Sequence, residues 1–225
     1  MNAGSTGAAV TTARAAALAS VFLGLVIVAA GFMRWVRTGH GIDANGFGFA
    51  DRHLAELFGM QLTLGWFTTA FGLLVIVGGL AALYAVTRGA GNPHPGFALV
   101  AGAGVGAVVI AGAVPVRPLG LTLPINQLGM RSAAGDLGDP SAGIFILLAA
   151  ALTSVVIGFV GISLGGQDTA GRRLLAVAIA AGAVIGVVAV VVVWWWLGRD
   201  TGIHVVGLPD VVAAGFGAGG PLQVA

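Results

Sequence analysis

The 225-residue chain has no cysteine and no lysine, a single tyrosine and only 8% charged residues. Without thiols there can be no disulfide, thiolate metal site, iron–sulfur ligation or cysteine nucleophile. That absence leaves the compartment open. All ten basic residues are arginines, they nowhere form a run, and they face eight acids for a formal charge of +2. A nucleic-acid surface needs a basic patch, so no nucleic-acid partner is expected. Replacement of every lysine by arginine, beside 39 glycines, points to GC-rich coding. The charged fraction is about a third of the roughly 25% usual in a soluble domain. With 58% hydrophobic residues and a mean hydropathy of +1.02, the chain carries more apolar surface than a water-soluble fold can bury.

What it has is five long stretches without a charge: 15–33, 57–87, 89–116, 140–167 and 174–198. Crossing a hydrocarbon core takes about 20 apolar residues at 1.5 Å of helical rise each. The predicted fold class is therefore all-α, a polytopic membrane helical bundle of one helix plus two helical hairpins. Its five transmembrane helices are placed at about 15–35, 58–87, 96–116, 142–165 and 174–197. They follow a short N-terminal segment, 1–14, and precede a Gly-rich flexible tail, 199–225. The first stretch could serve as a signal peptide, with Val28-Ala29-Ala30 as a small-residue cleavage site. It is long for that role, and four further spans make an uncleaved first helix the expectation.

Connections alternate between long (36–56 and 117–139) and short (88–95 and 167–173). Spanning helices alternate in direction, so both long loops share one face and both short turns the other. The short-turn face holds Arg14, Arg88, Arg172 and Arg173 with one acid, Asp168. The long-loop face holds six arginines and seven acids. Basic density near span ends marks the cytoplasmic side, so the expected location is the plasma membrane, N-terminus cytoplasmic and C-terminus outside. Trp35 and Trp194-Trp195-Trp196 are read as headgroup anchors on the outer interface, with Trp66 and Tyr84 marking the two ends of the second helix.

Chemistry-bearing patterns are sparse. Ser141, Ser154 and Ser163 lack a GxSxG elbow, and no phosphate or dinucleotide loop is present. His40, His53, His94 and His204 all fall outside the predicted spans, which argues against axial haem ligation. No catalytic residue and no cofactor are assigned. The first long loop gathers His40, Asp43, Asp51, His53 and Glu56. Imidazole and carboxylate can ligate a divalent ion, and His53 and Glu56 sit at i, i+3 spacing, so His40, Asp43, His53 and Glu56 are the metal candidates. Solvated loop charge is the competing explanation, and Asp51 could instead cap the second helix. The second long loop, with Pro118, Pro124 and the stretch 121–130, is read as a connection that can dip into the headgroup layer. Within the spans the polar residues are Gln61, Thr63, Thr68, Thr69, Thr153, Ser154 and Ser163. Their expected partners are helix carbonyls, and without intramembrane ionisable groups an ion pump is disfavoured. GxxxG spacing occurs at Gly102–Gly106, Gly161–Gly165 and Gly182–Gly186. It puts two glycines on one face for close backbone approach, within the chain or in a dimer.

Arg34-Trp35 at the end of the first helix, a Gly-rich loop and Ala/Gly/Val/Leu helices resemble small multi-pass proteins of GC-rich Gram-positive bacteria, including the tryptophan-associated membrane protein family. Five spans depart from that family's usual four, and no functional residue carries over. Three functions stay open. The first is a non-enzymatic accessory or scaffold subunit of the plasma membrane, whose partners are the lipid bilayer and a membrane protein or a second copy. The second is a facilitator or transporter of a neutral or lipidic molecule. The third is an envelope enzyme with an outer-face His/carboxylate site.

Overall fold

Helix ends in a membrane must find partners for the backbone groups that the helix itself leaves open, and that need organises this fold. The computed structural model describes residues 3–37, 43–49, 63–89, 92–116, 139–164 and 169–199. Five helices dominate: α1 (Ala3–Phe32), α2 (Leu64–Arg88), α3 (His94–Ala113), α4 (Ala142–Leu164) and α5 (Thr169–Arg199). Each contains a stretch long and apolar enough to cross a membrane, from 20 residues in α3 to 27 in α5. At 1.5 Å per residue these reach about 30–40 Å. The chain is thus a polytopic membrane helical bundle, as its hydropathy requires.

Helix boundaries depart from expectation at informative places. α1 begins at Ala3, ahead of the span placed at about residue 15, and its apolar stretch starts at Val10. At its other end α1 stops at Phe32, short of residue 35, and Arg34–Arg37 forms a strand, β1. His94 lies inside a helix, as the first residue of α3, and is buried. The Asn92 side-chain oxygen accepts its backbone N–H at 2.9 Å, and Pro95 occupies the first turn, where a missing N–H costs nothing. α2 ends on Gly89 in the left-handed region (φ 59°), the usual glycine stop.

A small sheet, absent from the sequence-based expectation, joins the helices at one end. β1 pairs antiparallel with β2 (Asp43–Asn45) on one side and β4 (Asp139–Pro140) on the other, and β3 (Gly48–Phe49) extends β2, giving the order β3-β2-β1-β4. The two long loops of the sequence reading meet in this sheet, since Val36 and Arg37 lie opposite Pro140 and Asp139.

Packing closes α1, α2, α3 and α4 into a ring, each against the next and α4 back against α1. α5 lies outside this ring and is held mainly by α3. Burial follows: 67% of the most apolar stretch of α3 is inside the protein but only 22% of that of α5. The core has two layers along the bundle. Trp35, Val36, Leu64, Phe71, Ile110, Ile144 and Leu147 are among those nearest the sheet. Phe97, Ala101, Ile162 and Leu175 belong to the layer at the opposite end.

Small residues set the helix spacing. A Cβ on Gly182 would run into the carbonyl of Gly102, and one on Gly102 into that of Ala178. Gly186 faces Gly106 in the same way, at 3.0 Å from its carbonyl. Two of the three GxxxG segments therefore meet each other, and they do so within one chain. The third follows a different logic, with Gly161 receiving the ring of Phe97; Gly165 lies outside the described residues. Gly106 likewise faces the ring of Phe71.

Candidate functional site

The sheet-capped end gathers most of the polar and aromatic detail among the described residues. It begins with Gly46-Phe47, the two residues that turn β2 into β3 after Asn45. The Asn45 side-chain oxygen accepts the N–H of Phe47 at 2.9 Å, an Asx turn, and Gly48 follows at φ 121°, which disfavours any side chain.

This turn is wedged between α1 and α2. The N–H of Gly46 donates to the Gly31 carbonyl at 2.9 Å, satisfying an acceptor at the end of α1. Its carbonyl accepts the N–H of Gly65 at 2.6 Å, satisfying a donor at the start of α2. Thr63, the N-cap of α2, makes no side-chain capping bond, so the hairpin backbone does that work. The approach leaves no room at Gly46, where a Cβ would stand 2.7 Å from the Trp35 ring and 2.8 Å from the Gly31 oxygen.

Trp35 corrects the anchoring expectation. It is fully buried, and its indole N–H donates to the Ala30 carbonyl at 2.7 Å. Its own carbonyl accepts the Ser141 N–H at 2.8 Å, tying β1 to the start of α4. Trp35 is therefore a keystone between α1, the sheet and α4. The aromatic surface at this level is instead built from Phe32, Phe47 and Trp66. Phe47 lies 4.6 Å from Phe32 and 5.2 Å, edge-on, from Trp66. Phe32 and Trp66 are exposed, as is Trp195 on α5, while Trp194 is half-buried against the core.

Of the metal candidates, Asp43 lies in β2, and one of its oxygens meets the Arg34 guanidinium at 3.0 Å. Arg34 is 62% exposed and Asp43 17%, so solvent screens the pair. His40, Asp51, His53 and Glu56 lie outside the described residues, as do Gln61, Asp136, His204 and residues 117–138. Among the described residues no three His, Cys, Asp or Glu come together. The structure thus brings Asp43 to an arginine and to no described histidine.

Of the hydroxyls expected to bond back to their helices, Thr68, Thr153, Ser154 and Ser163 do so and Thr63 and Thr69 do not. Ser20, Thr68, Thr153, Ser154 and Ser163 each donate to the carbonyl four residues earlier, at 2.7–3.0 Å. Thr63 Oγ1, Thr69 Oγ1 and the second oxygen of Asp43 are buried without a hydrogen-bond partner. All three belong to the sheet-capped end. Sequence reasoning missed Phe47 and the hairpin, whose turn is Gly46-Phe47 and not the Asn-Gly pair of a type I′ turn. No family model matches the chain, and neither a curated protein nor a solved structure matches it.

Proposed function

We propose that the protein is a non-enzymatic accessory or scaffold subunit of the plasma membrane, with its N-terminus in the cytoplasm and its C-terminus outside. The packed interior carries this reading. α3 is the most buried of the five helices, with 67% of its most apolar stretch inside the protein, and glycines on it and its neighbours let backbones and aromatic rings close the space between helices. The buried hydroxyls of Thr68 and Ser154 are bonded back to their own helices and so are not open to a neutral solute. α5, held along one side, leaves most of its apolar surface facing outward.

The orientation rests on charge. Arg14, Arg88, Arg172 and Arg173 are exposed at the end opposite the sheet, whereas Arg34 and Arg37 share the sheet end with Asp43 and Asp139. Purification from membranes in mild detergent is expected to recover a stoichiometric membrane-protein partner or a homo-oligomer. A strictly monomeric protein without a partner, together with solute uptake into reconstituted vesicles above empty controls, would replace this reading with that of a facilitator.

A further inference from the structure

We propose that the arginine-bearing end of the bundle binds anionic phospholipid headgroups. The helix contacts define the level of each charged residue. Gly79 of α2 meets Ala17 and Ser20 of α1, Gly78 of α2 meets Gly96 of α3, and Gly102 of α3 meets Ala178 of α5. Following these registers at about 1.5 Å per residue places Arg14, Tyr84, His94 and Arg172-Arg173 within roughly one helical turn of a common depth. Arg88 lies about one and a half turns beyond Ala82 on α2, farther toward water.

All four arginines are exposed. The described carboxylates, Asp43 and Asp139, both lie in the sheet at the other end, and the sequence adds one acid here, Asp168. The Arg88 guanidinium sits 4.9 Å from the centre of the exposed Tyr84 ring. That pairing of a cation with an amphipathic aromatic suits the headgroup layer. Directly toward the bilayer centre the surface turns apolar, with Leu80 on α2 and Leu174 and Val177 on α5 all exposed. Positive charge above exposed aliphatic surface complements a phosphate joined to acyl chains. A soluble acidic protein or free phosphate would use only the charge.

The test takes the full-length protein in neutral detergent and offers equal amounts of phosphatidylglycerol and phosphatidylcholine with identical acyl chains. The readout is the ratio of the two lipids that co-purify. The wild type is expected to enrich phosphatidylglycerol, each single Arg→Gln change at 14, 88, 172 or 173 lowering its binding roughly fivefold, equivalent to about 1 kcal/mol. The quadruple Arg→Gln variant is expected to show no preference and the quadruple Arg→Lys variant to keep it. Arg34→Gln with Arg37→Gln, at the sheet end, serves as the control and is expected to match wild type. Circular dichroism verifies helicity of every variant, and the single changes decide the matter if the quadruple one loses it. A wild-type ratio of one, or equal loss in the sheet-end control, would overturn the proposal. So would displacement of the lipid by inorganic phosphate more effective than by chloride at matched ionic strength, which would assign the site to free phosphate.

Discussion

Replacing Gly182 by alanine is the sharpest test of how α5 is held. The added Cβ meets the Gly102 carbonyl far inside the 3.4–4 Å of ordinary contact, and that carbonyl is helix backbone that cannot swing aside. α5 must therefore retreat from α3, its main support. A radial gap of 0.5–1 Å forfeits about a quarter to a half of each dispersion contact, and overpacking typically costs about 1–3 kcal/mol. Gly→Ala also favours helix by up to about 1 kcal/mol, which would mask part of the loss. Gly112→Ala removes this ambiguity, because a Cβ there meets nothing within 4 Å. The difference between the two variants cancels the propensity gain to first order, leaving about 1–3 kcal/mol for the packing. Gly186→Ala, at 3.0 Å from the Gly106 carbonyl, should fall between them. Unfolding in mixed micelles of rising dodecyl sulfate fraction, followed by helicity and tryptophan emission, supplies the free energies. If Gly182→Ala and Gly112→Ala differ by less than about 0.5 kcal/mol, the scatter expected of surface changes, close packing does not hold α5.

Trp35→Phe keeps most of the ring volume but removes the indole donor; because the Ala30 carbonyl still accepts the Met33 N–H at 3.2 Å, it should cost about 0.5–1.5 kcal/mol in the same unfolding assay. A cost near zero would mean the ring acts by volume alone. Thr68→Val and Thr69→Val should diverge, although the residues are adjacent. Thr68 loses a bond to Leu64 and should be neutral to slightly destabilising, by less than about 1.5 kcal/mol, whereas the Thr69 hydroxyl is buried without a partner. Thr69→Val should be neutral or stabilising, and clear destabilisation would show that the Thr69 hydroxyl makes a stabilising bond. Single cysteines suit a chain that has none: at positions 136 and 220 they should react with an impermeant thiol reagent on intact cells, and at 169 they should not. Labelling at 169 alone would invert the orientation.

Five spans, their alternation and the grouping of both long loops on one side were legible in the sequence, because hydropathy and run length report directly on the cost of leaving polar groups in hydrocarbon. The bonding of Thr68, Ser154 and Ser163 to their own helices was legible too, from the reach of a hydroxyl to the carbonyl one turn back. The end cap was not. Arg34–Arg37 is four residues long, and its pairing with Asp139–Pro140 spans a separation that local pattern does not report. Trp35 sits at the end of an apolar run, where a membrane anchor and a buried keystone read alike. Only the approach of the hairpin and α4 separates them. The same limit applies to the helices. Soluble helices declare their inner face by polarity, but these are apolar on all sides, so the inner face differs from the lipid face only in residue size. The identical GxxxG spacing at Gly102–Gly106, Gly161–Gly165 and Gly182–Gly186 shows the consequence. Two of these segments face each other and the third receives a phenylalanine ring, a choice that depends on which backbones the assembled bundle brings within contact.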